Sequence, residues 1–167
     1  MEIKVQQLKK IHDRANFSCG IVALNNYIQQ QASQDVKRNI ARVYVLTLEN
    51  KETVIGYYSL SACSILLDKL PEEYSKKLPR YPTIPVTLLG RIAIDERFHG
   101  QGYGEHLLID ALRVTYEMNL NIASYAVVVD ALDNQAKKFY QHYGFQLLQH
   151  SKRRLFLPMK TIRKIII

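Results

Sequence analysis

The stretch that decides the predicted fold is LLGRIAIDERFHGQGYGEHLLIDALRVTY, residues 88–116. The apolar and β-branched run from Val86 to Ile94 has the length and composition of a buried strand. Three glycines at alternate positions, 100, 102 and 104, then interrupt the pattern, and apolar residues at helical spacing follow from Leu107 to Met118. The stretch therefore predicts a strand, a glycine-rich turn and a helix in direct succession.

Such a turn is predicted to bind phosphate groups. The first backbone N–H groups of a helix have no intrahelical partner and lie at the positive end of the helix dipole. Glycine, which has no Cβ, allows close approach and positive φ angles that aim neighbouring N–H groups at one point. A P-loop is excluded because Glu105 and His106 follow Gly104, and the Gly-x-Gly-x-Gly spacing differs from a dinucleotide-binding fingerprint. An ordinary tight strand–helix turn is the alternative.

Two motifs resemble the GNAT superfamily of acyl-CoA-dependent N-acetyltransferases. Residues 97–102, RFHGQG, are similar to the pyrophosphate loop of the family, in which Arg or Gln is followed by x-x-Gly-x and then Gly or Ala. Residues 134–145, NQAKKFYQHYGF, resemble its second cofactor segment, Asn-x-x-Ala-x-x-Phe-Tyr followed by Gly-Phe. The resemblance implies an α/β fold with a single GNAT-like domain, whose mixed, mostly antiparallel central sheet is flanked by helices on both faces. It also implies acetyl-CoA as the cofactor.

The resemblance further implies which residues contact the cofactor. In the family, the strand before the turn pairs with the amides of the pantetheine arm as an added strand would. The implied set has three parts: the strand residues Ile92, Ala93 and Ile94; the loop residues Arg97, His99, Gly100, Gln101, Gly102, Tyr103 and Gly104; and Asn134 and Phe139 of the second motif.

Tyr140 is the candidate general acid. A phenol has a pKa near ~10 and a thiol near ~8.5, so the phenol is protonated at neutral pH and can serve a departing thiolate. Because Ala136, Phe139, Tyr140 and Tyr143 have the spacing of one helix face, a plain core role is the alternative. No carboxylate stands out as a general base. The α-amine of an esterified amino acid is less basic than a lysine side chain, so it is partly neutral at pH 7 and does not require a strong base to deprotonate it.

The charge of the chain is concentrated at its end. The net charge is +8, and residues 134–167 contain eight basic and no acidic side chains, so the preceding part is balanced. Such an asymmetry suggests a polyanionic partner, and a solvated basic face is the equally weighted alternative. The candidate RNA-binding residues are Lys137, Lys138, Lys152, Arg153 and Arg154.

The amino-terminal half resembles a narrower group, the TacT- and AtaT-like GNAT toxins of bacterial toxin–antitoxin modules. The similarity is carried by the segment from His12 to Tyr27, by GYYSL at 56–60, by the strand around Arg91 to Asp95 and by RRLFLPMK at 153–160. It implies acetylation of the amino acid on aminoacyl-tRNA, a ribbon-helix-helix antitoxin, and operator DNA bound only through that antitoxin. It leaves a homodimer open. A small-molecule or protein amine as acceptor, and an acyl-CoA-binding module without catalysis, are the competing interpretations.

Length and composition bound these interpretations. The 167 residues and 47% hydrophobic content predict one globular domain, 1–167. No run of eighteen apolar residues and no signal-peptide core are present, so we expect no membrane segment and a cytoplasmic location. Cys19, Cys63 and the five histidines lack ligand spacing, so we expect no metal.

The remaining elements follow from hydrophobic periodicity and turn residues. We expect Ser18 to cap a first helix, Pro158 to mark an edge strand, and the tail from Thr161 to Ile167 to be loose. The other predicted elements are an edge strand at 1–8, a hairpin of 38–49 and 53–66, a short helix and loop at 68–85, a parallel strand at 122–129, a helix through His142 capped by Asp133 or Asn134, and a closing hairpin of 145–149 and 153–159.

Overall fold

The computed structural model describes residues 2–167. Short segments alternate between strand and helix along the chain. The elements are β1 (Ile3–Gln7), α1 (Val22–Asn26), a π-helical segment (Tyr27–Gln31), α2 (Ala32–Lys37), β2 (Arg42–Leu48), β3 (Gly56–Leu66), a 3-10 turn (Leu67–Lys69), α3 (Glu72–Ser75), β4 (Thr83–Ile94), a second 3-10 turn (Glu96–Phe98), α4 (Tyr103–Asn119), β5 (Ala126–Asp130), α5 (Asn134–His142), β6 (Gln146–Leu147), β7 (Arg154–Pro158) and α6 (Met159–Ile166).

The strands form a seven-stranded sheet in the order β1-β2-β3-β4-β5-β7-β6. The pairs β1–β2, β2–β3, β5–β7 and β6–β7 are antiparallel, whereas β4 and β5 are parallel with Leu88 opposite Val128. Parallel neighbours need a crossover connection, and α4 supplies it between β4 and β5. The predicted α/β fold with a mixed, mostly antiparallel sheet and a parallel β4–β5 pair is confirmed.

The chain divides into two compact units, residues 2–61 with 90–111 and residues 62–89 with 112–167. In the first unit, successive residues of β3 point to opposite faces of the sheet. The Tyr57 hydroxyl donates to the Leu24 carbonyl of α1 at 2.7 Å, and the Tyr58 hydroxyl donates to the Asp110 carboxylate of α4 at 2.6 Å. Helices therefore cover both faces of this part of the sheet, as the resemblance implied.

In the second unit, the core forms where β5 and β7 pair. Val128 lies opposite Phe156 in the antiparallel ladder, and both are fully buried. The Tyr74 ring of α3 packs edge-on against Phe156 with 5.3 Å between centroids, and Leu78 lies against the same cluster. The segment 68–85, predicted as a short helix and loop, therefore packs against this core and covers it. That the whole chain forms one domain stays a prediction.

The predicted loose tail is wrong, because the chain continues as the helix α6. Met159 and Ile162 of α6 are buried, and Arg163 and Lys164 occupy its last turn, where positive charge favours the helix dipole. Pro158 precedes the helix as its N-cap and does not mark a sheet edge. β7 lies between β5 and β6, so the two-residue strand β6 forms the edge instead.

Two smaller predictions are also wrong at element boundaries. The first helix begins after Ile21 with no side-chain cap, so Ser18 does not cap it. β5 begins at Ala126, and Ile122 is 80% exposed because the end of α4 continues through a turn there. The predicted helix through Met118 is confirmed, because α4 runs to Asn119, although Met118 is 46% exposed in its last turn.

Candidate functional site

A buried carboxylate anchors the turn that follows β4. Asp95 is 1% exposed and caps the 3-10 turn, accepting hydrogen bonds from the backbone N–H of Arg97 at 3.0 Å and of Ser18 at 3.2 Å. The Arg97 guanidinium pairs with the same carboxylate through Nε at 3.0 Å and Nη2 at 3.1 Å. Asp95 therefore holds the start of the loop on the segment that precedes α1.

Charge on Asp95 is stabilised by these contacts. Burial by itself would raise the pKa of this carboxyl group, but the hydrogen bonds from Arg97 and from the Ser18 backbone outweigh it and lower the pKa. The Asp95 carboxylate in turn raises the pKa of Arg97. Arg97, implied by the resemblance to contact the cofactor, thus has two of its nitrogens occupied, although 60% of its side chain is exposed.

The glycines after this anchor form an open loop. Gly100 has a φ of 77° and Gly102 a φ of 81°, and a Cβ on either would meet nothing within 4 Å. Gly104 differs, because it lies inside α4 and has no positive φ. The His106 N–H donates to the Gly102 carbonyl at 3.1 Å, so the helical hydrogen bonding begins at this glycine. The loop and the first turn of α4 leave room for an anion beside backbone N–H groups.

The other predicted residues of this region lie on the same loop and strand. The His99 ring contacts the Ile94 carbonyl at 2.6 Å, which ties the loop to the end of β4. Ala93 is buried, while Ile92 and Ile94 are half-buried. Gln101 is exposed and Tyr103 opens α4, with its ring 6.3 Å from that of Phe98. The structure therefore brings the whole predicted loop set together around the end of β4.

Tyr140 lies in α5 with its ring buried. The helix begins at a cap in which the Asp133 carboxylate accepts from the Ala136 N–H at 2.8 Å, as one of the two predicted caps required, and Gly144 follows its end with a φ of 97°. The Tyr140 ring is 5% exposed and lies 5.4 Å from the rings of Phe139 and Phe145.

Burial raises the pKa of the Tyr140 phenol, and the negative charge of Asp130 adds to that effect. The group therefore stays protonated at neutral pH and is able to donate a hydrogen bond or a proton. Within residues 2–167 its hydroxyl makes no hydrogen bond to another protein group. Of the other residues implied in this motif, Phe139 is half-buried and Asn134 is exposed.

The predicted RNA-binding residues differ in their surroundings. Lys138 and Lys152 are exposed and Lys137 is half-buried. Arg154 instead pairs in a bidentate manner with the Asp130 carboxylate at 2.8 and 2.9 Å, and Arg153 donates to the Leu132 carbonyl. Much of the charge of Arg154 is therefore compensated within the protein.

Asp95 is the residue that sequence reasoning missed. Its position directly after a strand and two residues before an arginine is typical of a capping carboxylate, so the Asp-x-Arg spacing was an available signal. Its bond to the Ser18 backbone joins residues 77 positions apart, which no local pattern indicates.

The described residues include neither a metal-binding cluster nor a membrane-spanning helix. Between residues 2 and 167, no group of three or more His, Cys, Asp or Glu side chains is placed to hold a metal ion. No helix in that range is long and apolar enough to cross a membrane.

The sheet, the open glycine loop and the parallel β4–β5 crossover are the features of an acyltransferase that binds a phosphorylated cofactor. Residues 39–147 match the family model described as acetyltransferase (GNAT) domain, and the chain belongs to this family. The predictions of a GNAT fold and of an acetyltransferase are thereby confirmed.

Two relatives are similar over nearly the whole chain. A probable toxin TacT of Sinorhizobium fredii is 36% identical over 162 residues, which cover 93% of this chain and 90% of the relative. A tRNA-acetylating toxin of Mycobacterium tuberculosis is 29% identical over 161 residues, which cover 96% and 95%.

Solved structures agree with these relatives. A tyrosine-to-phenylalanine variant of KacT has a TM-score of 0.93 at 31% identity and 99% coverage of both chains. AtaT complexed with acetyl-methionyl-tRNAfMet has a TM-score of 0.92 at 30% identity, with 99% of this chain and 100% of that chain covered. AtaT bound to the C-terminus of the antitoxin AtaR has a TM-score of 0.83 at 29% identity, with 98% and 97% covered. The predicted resemblance to TacT- and AtaT-like toxins is confirmed.

Proposed function

We propose that this chain transfers an acetyl group from acetyl-CoA to the α-amino group of aminoacyl-tRNA and so blocks translation as the toxin of a toxin–antitoxin module. The observation that carries the proposal is the similarity over essentially the full chain to AtaT, whose structure holds acetyl-methionyl-tRNAfMet. Acetylation removes the nucleophilic amine that peptide-bond formation requires.

The described residues fit the cofactor at the phosphate end. Gly100 and Gly102 have positive φ angles and open space where a Cβ would be, so the backbone N–H groups from Gly100 to Gly104 are free to approach a diphosphate closely. Ile92, Ala93 and Ile94 offer their backbone to the pantetheine amides. Arg97, His99, Gln101 and Tyr103 complete the loop, and Asn134 and Phe139 complete the cofactor set.

Tyr140 is the proposed general acid. When bound, acetyl-CoA supplies the acetyl group as a thioester. The amine attacks the thioester carbonyl, so that a C–N bond forms, the C–S bond breaks, and the amine loses a proton to water. The Tyr140 hydroxyl donates its proton to the departing sulfur and regains one from solvent. The phenol suits this role because it is protonated at neutral pH and its hydroxyl can stabilise the charge of the departing sulfur by hydrogen bonding. The raised pKa of the buried phenol makes that hydrogen bond, rather than early proton transfer, its main contribution.

The acceptor and the partners complete the proposal. Lys137, Lys138, Lys152 and Arg153 contact tRNA phosphates, with a weaker contribution from the compensated Arg154. A ribbon-helix-helix antitoxin neutralises the enzyme and carries it to operator DNA. The support is the solved AtaT–AtaR complex bound to DNA, whose toxin is 28% identical to this chain. The setting is cytoplasmic, and the active form is a single domain, with a homodimer as the alternative assembly.

The experiment that tests the proposal uses radiolabelled acetyl-CoA. The protein is incubated with charged total tRNA, with deacylated total tRNA and with a polyamine mixture, and label is counted in each acceptor. We expect label in the charged tRNA alone, released by mild alkali as acetyl-amino acid. Label in the polyamines but not in RNA would establish the small-amine alternative instead.

A further inference from the structure

Arg91 is a half-buried cation with unused hydrogen-bond donors. Its Cζ lies 3.6 Å from the centroid of the Tyr27 ring, which is a close cation–π contact. The ion pairs found between residues 2 and 167 are Arg97–Asp95 and Arg154–Asp130, and the Arg91 guanidinium takes part in neither. No hydrogen bond from Arg91 to a protein group is found in that range, and its charge acts on Asp35 only at a distance, where it helps to lower the pKa of that carboxyl group. The stacking orients the guanidinium, and its donors are available to a ligand.

The ring beneath Arg91 is held from two sides. The Tyr27 hydroxyl donates to the Asp35 carboxylate at 2.8 Å, and the Gln31 amide donates to the other oxygen of Asp35 at 3.0 Å. Tyr27 also stacks on Tyr57, with centroids 6.1 Å apart and planes 20° apart. Tyr27 and Gln31 both belong to the π-helical segment, a distortion that is frequent at functional sites. A rigid platform therefore presents Arg91.

The position of Arg91 on β4 indicates which ligand it faces. The glycine loop follows the end of β4, and the proposed pantetheine contacts run back along the strand from Ile94 to Ile92. Arg91 comes next in that direction, about 3–10 Å from those backbone groups at the usual rise of a strand. With the cofactor bound as proposed above, its diphosphate would lie away from Arg91 and its reactive end toward Arg91. The group that would meet Arg91 then belongs to the acceptor.

We propose that Arg91 binds a phosphate of the acceptor RNA beside its aminoacylated 3′ end, and so positions the α-amine for transfer. This inference rests on the proposed function. The aminoacyl ester itself carries no negative charge, so the anions nearest to the amine are the phosphodiesters of the terminal nucleotides. A planar guanidinium matches a phosphate with two parallel hydrogen bonds, which a lysine does not reproduce.

The test measures how salt affects the binding of deacylated total tRNA to the full chain. Each phosphate contact contributes about 0.7–1 to the slope of log affinity against log salt concentration. We expect Arg91→Gln to weaken binding about 10- to 100-fold and to lower that slope by about one contact. Arg91→Lys should keep the slope and lose a smaller part of the affinity. Lys51→Gln, in the exposed turn between β2 and β3, is the matched control for the loss of one charge and should change neither quantity.

Acetyl-CoA affinity, measured by calorimetry, distinguishes the two sources of phosphate. It should be unchanged in Arg91→Gln, and a loss there equal to the loss of tRNA affinity would assign Arg91 to the cofactor and overturn the proposal. An unchanged salt slope in Arg91→Gln, or an equal drop in Lys51→Gln, would also overturn it.

A measurement on the wild-type chain covers the case in which Arg91→Gln does not fold. Phenylglyoxal modifies accessible arginines, and peptide mass spectrometry reports the extent at each site. We expect deacylated tRNA to protect Arg91, and acetyl-CoA alone to leave it reactive. Modification of Arg91 that proceeds equally with and without tRNA would refute the contact. Because these readouts use deacylated tRNA, they can succeed when acetyl transfer fails, which separates this inference from the proposed function.

Discussion

Substitution of Gly102 gives the most direct test of the proposed phosphate site. Its φ of 81° lies in the left-handed region, and a side chain there would meet no protein atom within 4 Å. A substitution therefore adds backbone strain of roughly 1–2 kcal/mol but no steric clash with the protein. The new side chain would instead occupy the space that we assign to the diphosphate.

The comparison of Gly102→Glu with Gly102→Gln isolates the charge, because the two side chains have similar bulk and the same backbone strain. A carboxylate about 5 Å from one phosphate charge costs roughly 1–3 kcal/mol at effective dielectric constants between those of water and of a protein surface. We therefore expect the acetyl-CoA Kd of Gly102→Glu to exceed that of Gly102→Gln by about 5- to 150-fold.

Isothermal titration calorimetry measures both affinities, and chemical denaturation checks that the two variants are equally stable. Gly104→Ala is the matched control for added bulk on the helix, because Gly104 has a helical backbone and an open Cβ position. It should be as stable as the wild type or more so, because alanine favours a helix. Equal acetyl-CoA affinities for Gly102→Glu and Gly102→Gln would refute the assignment of the diphosphate to this loop.

Three further predictions concern the acid, the basic residues and the loop anchor. Tyr140→Phe should keep acetyl-CoA affinity and lose about two or more orders of magnitude in kcat, and wild-type turnover in a stopped assay would return Tyr140 to a core role. Lys152→Glu combined with Arg153→Glu should raise KM for charged tRNA far more than KM for a small amine, and equal increases would remove the RNA contact. Asp95→Asn should destabilise the fold by about 1–3 kcal/mol at pH 7, because Arg97 loses its charged partner. Since the folded-state pKa of Asp95 is lowered, this difference should be present above pH ~4 and vanish as the pH falls through the folded-state pKa; thermal melts at several pH values measure it.

Local patterns predicted the elements around the site well. The strand, turn and helix of residues 83–119 are set by runs of branched residues, by glycines and by 3.6-residue spacing, all of which act between near neighbours. The same holds for α5, where the Asp133 cap and Gly144 bound a periodic segment. The errors lie where packing overrides local preference. Residues after Pro158 form α6 because Met159 and Ile162 find a core to enter, which the sequence of the tail alone does not reveal.

The amino-acid sequence by itself determined the family, and it predicted the phosphate loop and the candidate acid, because a glycine spacing and a short helix motif lie within a few residues of one another. Only the tertiary structure decided which charges are free to act. Folding pairs Arg97 with Asp95 and Arg154 with Asp130. It stacks Arg91 on Tyr27, where Arg91 forms no ion pair within residues 2–167 and acts on Asp35 only through its charge. The physical reason is that a charge is compensated by whatever lies within a few ångströms of it, and folding brings those neighbours from distant parts of the chain.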